Sequence, residues 1–137
     1  MRHGRALWAL GWLIVAGLLG ACEGASPPTA TPAGDSGVQI ALTTDPAPPR
    51  PGPLTLSVRV RDAAGQPVTG ADSQVHIKAD MPSMGHRGVD GDATDLGGGQ
   101  WQVRGSLVMG GEWRVVVTVT RHGVLLAQRE FRFQAGG

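Results

Sequence analysis

The chain has 137 residues, twelve basic and eleven acidic, with a formal net charge of +1. That balance excludes a polyanion-binding surface such as a nucleic-acid site and a polybasic membrane patch. A single cysteine excludes a disulfide within the fold, and twenty-two glycines with ten prolines point to many turns and few helices.

Arg2 and Arg5 precede an apolar run from Ala6 to Leu19 that is shorter than a membrane-spanning helix requires. Leu19-Gly20-Ala21-Cys22 closes the run, and the whole resembles a bacterial lipobox. In that motif diacylglycerol is attached to the thiol and the peptide is cut just before it. The resemblance implies a signal peptide over 1–21 and a mature chain that begins at a lipidated Cys22. The membrane is then a partner through the N-terminal lipid. A plain signal peptide, or an N-terminal anchor with an unrelated cysteine, is the other reading. Without the leader, ten basic residues stand against eleven acidic ones.

Glu23 to Gly37, EGASPPTATPAGDSG, has no aromatic and no large aliphatic residue. It buries too little surface to offset the entropy of ordering it, so 22–37 reads as a flexible, lipid-bearing tether.

From Val38 the pattern has period 2. Val38, Ile40 and Leu42 alternate with polar or small residues, and the Pro-rich stretch Thr44 to Pro53 follows. Leu54, Leu56, Val58 and Val60 form the clearest half-buried strand. Asp62 to Pro67 has turn chemistry. Val75 and Ile77 face one way, as do Trp101 and Val103, then Trp113, Val115, Val117 and Val119. After Arg121-His122-Gly123 a last strand places Phe131 and Phe133 together. Short strands separated by Gly and Pro turns, with no helical period after Gly20, define the expected fold. It is all-β: an antiparallel immunoglobulin-like β-sandwich of six to seven strands over 38–137.

The stretch that carries chemistry is Met81-Pro82-Ser83-Met84-Gly85-His86. Thioether sulfur is a soft, neutral donor suited to Cu(I) and poor for Zn(II), Mg(II) or Ca(II), and imidazole serves copper in either oxidation state. Two thioethers and an imidazole on a loop bent by Pro82 and Gly85 are a candidate copper site. The competing reading is a methionine beside proline that fills the open end of a sandwich.

MPSMGH, a Gly-rich turn, Trp101, and Leu107-Val108-Met109-Gly110-Gly111-Glu112-Trp113 entering a valine strand resemble the YtkA-like domain family, which is related to FixH-type proteins. The resemblance covers roughly Val38 to Gln134, and its specific part runs from Met81 to Val119. Trp101 stands where the family commonly has Tyr. The resemblance implies a small extracytoplasmic β-sandwich, lipid- or membrane-anchored, associated with copper handling or respiratory oxidase assembly. It extends the metal set to Met81, Met84, His86 and Met109, with Trp113 beside them.

Asp90, Asp92 and Asp95 form a D-x-D-x-x-D run without the glycine and glutamate of an EF-hand, and read as a solvated turn. His76 lies mid-strand on the polar face and His122 in a hairpin turn. No nucleophile or phosphate-loop motif is present, so an enzyme is not expected. Two functions remain. One is a membrane-anchored Cu(I) carrier or accessory, with a copper-protein or membrane-protein partner. The other is a metal-free interaction module that docks onto a membrane complex such as an oxidase or an efflux assembly.

Strand parity predicts the geometry. If Gly88 to Asp95 runs back from the Met loop, the strand through Trp101 returns Met109 to that same end and His122 falls at the other. The first strand, at Val38, then starts opposite the site, so the tether is expected to enter at the far end and the Met end to point away from the lipid.

Overall fold

The computed structural model describes residues 28–33 and 37–136. The leader, Cys22 and part of the tether assignment lie outside the described residues. Nine strands are described: β1 (Thr29–Ala33), β2 (Gln39–Asp45), β3 (Gly52–Arg61), β4 (Ser73–Met81), β5 (His86–Asp92), β6 (Thr94–Gly97), β7 (Gln100–Leu107), β8 (Gly111–Arg121) and β9 (Val124–Ala135). They form two antiparallel sheets, ordered β1-β9-β8-β4-β5 and β2-β3-β7-β6. Among the described residues no helix is long and apolar enough to cross a membrane.

The alternating residues make the core. Leu54, Leu56, Val58 and Val60 of β3 face Val75 and Ile77 of β4 and Trp113, Val115, Val117 and Val119 of β8, and all of them are buried. Phe131, Phe133 and Trp101 are buried as well, whereas Val103 only packs against the edge of the cluster. Trp101 is held by its indole N–H, which donates to the Val68 carbonyl at 2.9 Å.

The fold is the expected immunoglobulin-like sandwich with more strands than six to seven. The additions are β1, β5 and β6. Gly88 to Asp95 runs back from the Met loop, and the Asp90, Asp92 and Asp95 run is not a solvated turn but part of two consecutive strands, β5 and β6, that lie in different sheets. Ala93 makes the crossing, its N–H donating to the Val75 carbonyl at 2.8 Å. The Gly/Asp composition hides β5, whose one large inward side chain is Val89 and whose Gly88 has no room for a side chain. A Cβ on Gly88 would lie 2.9 Å from Trp113 Cζ3, and one on Gly105 of β7 would lie 2.5 Å from Val89 Cγ2. The Trp113 ring at Gly88 and the close approach of the two sheets at Gly105 therefore demand glycine where strand patterns ordinarily show valine.

β1 corrects the tether. Thr29 to Ala33, read as part of a flexible segment, pairs along the edge of β9, with Thr29 opposite Arg132 and Ala33 opposite Gln128. Strand addition to a free edge rests on backbone hydrogen bonds and does not require apolar side chains. β1 also reverses the expected direction of approach. β2 does start at the end opposite the Met loop, with Gln39 across from Arg61. But β1 runs toward that end from the other, so the chain meets the sandwich at the Met end.

Candidate functional site

The Met end is built from three turns. The β4–β5 turn carries Pro82 to Gly85, the β7–β8 turn carries Val108 to Gly110, and the β2–β3 connection carries Pro46 to Pro51. Gly136 closes the end, its N–H donating to the Pro49 carbonyl at 2.9 Å.

The β4–β5 turn is tight. The Met84 N–H donates to the Met81 carbonyl at 3.1 Å, and Gly85 adopts φ +67°, the left-handed region that glycine enters without cost. Met81 and His86 are partners in the ladder. Directly opposed residues lie on the same face of a sheet, so His86 shares the inward face of Met81.

This phase depends on a bulge. Between Lys78 opposite Asp90 and Asp80 opposite Arg87, β5 has one residue more than β4. Strict alternation from the buried Val89 would turn Arg87 inward and His86 outward. The extra residue inverts that, placing Gly88 against the Trp113 ring and Arg87 across from Asp80.

The predicted ligands fall into three environments. Met81 is buried, only 2% exposed, with its Cε so near Gly111 that an added Cβ there would lie 2.9 Å away. Met84 is 57% exposed and His86 is exposed on the rim. Met109 is partly buried and packs on the core from the β7–β8 turn. That turn is fixed by Trp113, whose indole N–H donates to the Met109 carbonyl at 3.1 Å. Gly52 pairs with Leu107 and Gly111 with Ala135, so Met109 lies at the same end as the β4–β5 turn, as parity predicts. His122 lies at the opposite end, next to Arg121, which pairs with Ser73. Its own N–H donates to the Asp72 carbonyl at 2.7 Å.

An ion pair underpins the end. Arg114 of β8 donates from Nε and a terminal nitrogen to the two oxygens of Asp80 of β4, at 2.9 and 2.7 Å. These bonds hold the Asp80 carboxyl below its ordinary range against the opposing effect of burial.

Sequence reasoning missed a second cluster on the outer face of β4 and β5. His76 Nδ1 lies 2.9 Å from Asp92 and its Nε2 lies 3.0 Å from Asp90. Gln74 Nε2 also donates to Asp92, at 2.9 Å. A carboxylate only accepts, so this arrangement suits an imidazolium that donates from both nitrogens. The Asp92 contact foremost, then Asp90, raises the His76 pKa over the desolvation that opposes it. Asp95 serves a different purpose. It accepts from Thr69 Oγ1 at 2.6 Å and from the Gly70 N–H at 2.7 Å, pinning the β3–β4 connection to β6. Among the described residues, no three His, Cys, Asp or Glu side chains converge as a metal-holding group. The soft donors are the ones gathered at the Met end.

The sequence profile of the YtkA-like family matches residues 33–118, well over half of the chain, including the turns that carry Met81, Met84, His86 and Met109. The chain belongs to the YtkA-like family. The chain is similar to solved structures at low identity. A copper-bound variant of FetP from uropathogenic Escherichia coli is 9% identical, with a TM-score of 0.53 over 81% of this chain and 97% of that one. FetP as isolated, also from uropathogenic E. coli, is 11% identical, with a TM-score of 0.52 over 80% and 95%. The PmoD soluble domain from Methylocystis species strain Rockwell is 17% identical, with a TM-score of 0.48 over 71% and 90%. No curated protein matches the sequence.

Proposed function

We propose that this YtkA-like protein is an extracytoplasmic, lipid-anchored copper-binding protein that carries Cu(I) or serves as an accessory in its handling. The observation that carries the proposal is the placement of the turns bearing Met84, His86 and Met109 at one end of the sandwich, although Met109 lies more than twenty residues further along the chain. The chemistry of the donors fits the metal. Two neutral thioethers and one imidazole favour Cu(I) over harder cations. Met81 is a third, enclosed thioether behind them, and Met84 and His86 are the open donors, so metal is exchanged at the rim.

The FetP neighbour is described as copper-bound, and its fold likeness supports a copper role here. Thioethers withstand an oxidising compartment better than thiols do, which suits an exported protein whose one cysteine is committed to lipid. The reaction is transfer of a metal ion as cargo, with no bond chemistry and no enzyme activity. A partner accepts or supplies copper through ligand exchange at Met84.

The test is a Cu(I) competition titration of the chain carrying Cys22→Ala, which removes the one thiol. One Cu(I) bound per chain supports the reading. No competition with a weak Cu(I) chelator rejects it in favour of a metal-free docking module.

A further inference from the structure

Each end of the sandwich exposes apolar side chains: Met84 and Val108 at one, Val124 and Leu125 at the other. Side-chain character does not say which end is turned toward the membrane, but the path of the chain does. In the five-stranded sheet Thr29 lies opposite Arg132, Arg132 opposite Arg114, Arg114 opposite Asp80 and Asp80 opposite Arg87. These five residues form one row across the whole sheet. The adjoining row toward the Met end holds Phe133, Trp113, Met81 and His86. β1 runs away from that end, so residue 28 falls in the row of Met81 and His86.

Only six residues separate Thr29 from Cys22. Fully extended, that stretch reaches at most about 25 Å. β8 alone, from Gly111 to Arg121, is roughly 35 Å long at the rise of a strand. The connection is shorter than the height of the domain, so a lipid on Cys22 cannot anchor an upright domain with its Met end on the distal side.

We propose that the Met/His end faces the membrane surface to which Cys22 is tied. The inference rests on the lipid-anchor part of the proposed function and is independent of copper binding. Its consequence is a class of partner: a protein embedded in the same membrane, whose metal site opens at that surface, reaches Met84. A soluble carrier arriving from the aqueous side meets the opposite end, with His122 and Val124.

The experiment uses the full chain, processed and lipidated in a bacterial host, in phosphatidylethanolamine–phosphatidylglycerol vesicles that contain an acceptor-labelled headgroup lipid. Ser83→Cys and Val124→Cys, both at exposed positions, each receive a donor dye. Acylation of Cys22 leaves the engineered thiol alone reactive. Energy transfer to the lipid is expected to be at least about twofold greater from position 83 than from position 124, given the ~35 Å that separates the two ends. A fifteen-residue Gly/Ser insertion after Glu23 is expected to shrink the difference. Equal or greater transfer from position 124 overturns the proposal. So does a Cys22 that reacts with dye in the parent chain, which refutes the anchor while leaving the copper titration to stand or fall separately.

Discussion

His86 lies directly across the β4–β5 ladder from Met81, and it does so only because β5 carries one extra residue at Gly88. The bulge turns an edge histidine onto the same face as a buried thioether. It also positions the outward Arg87 across from Asp80, which is already engaged by Arg114. The local geometry of the candidate metal end therefore depends on Gly88 and Trp113 as much as on the donors themselves.

Gly111 is the clearance on which Met81 depends. Its φ is +129°, and an added Cβ would meet Met81 Cε at 2.9 Å. Gly111→Ala is expected to cost about 1–3 kcal/mol through backbone strain and displacement of the Met81 side chain. Chemical denaturation checks this. An unchanged midpoint would mean that the Met81 pocket is looser than described.

Arg114 and Asp80 hold β8 to β4 just below the metal end, and Asp80 is largely buried. Arg114→Ala leaves that carboxylate without its main partner and is expected to destabilise the fold by about 1–3 kcal/mol. The sign with pH follows from the depressed pKa of Asp80. The stabilisation is present above the ordinary carboxylate range and is lost as pH falls through the lower folded value. Asp80→Asn is expected to flatten that acid limb in melting experiments.

His76 contributes with the opposite sign. Its folded pKa is raised by Asp92 and Asp90. Its stabilisation is complete below the unfolded value near ~6.5 and fades as pH rises through the folded pKa. His76→Gln is expected to remove this slope while changing stability little at alkaline pH, because the cluster is largely solvent-exposed and screened. Two-dimensional NMR titration of the imidazole gives the pKa directly. A value at or below that of free histidine contradicts the bridged arrangement.

Copper binding has a proton linkage of its own. Imidazole must be neutral to coordinate, so Cu(I) affinity is expected to fall as pH drops through the range where histidine is protonated. His86→Ala is expected to abolish that dependence, whereas His76→Gln is not. Titrations at two pH values separate the roles of the two histidines.

Much of the sandwich was legible in the sequence. The alternation in β3 and β8 specifies both the strands and their buried faces, because a half-buried strand must repeat every second residue. Parity then brings Met109 to the end of the MPSMGH turn. What stayed hidden is what side-chain pattern does not encode. β1 pairs through its backbone, so a Pro/Ala/Thr segment without apolar residues gives no warning of it. β5 has glycine at position 88 because the Trp113 ring lies against it, β7 has Gly105 to admit Val89, and the aspartates of β5 look like those of a turn. The bridging of His76 becomes visible only when the register is known, since Asp90 and Asp92 lie fourteen and sixteen residues away.

The central claim is that the soft donors at the Met end bind Cu(I), with Met84 as the open thioether. The most direct measurement is a Cu(I) competition titration comparing the Cys22→Ala chain with the same chain carrying Met84→Leu. Leucine keeps the size and apolar character of the side chain but has no sulfur lone pair. Loss of one thioether is expected to weaken binding at least about tenfold, roughly 1.4 kcal/mol, with an unchanged denaturation midpoint. Equal affinity in the two chains would contradict the account and leave Met84 as an apolar contact on the surface of the sandwich.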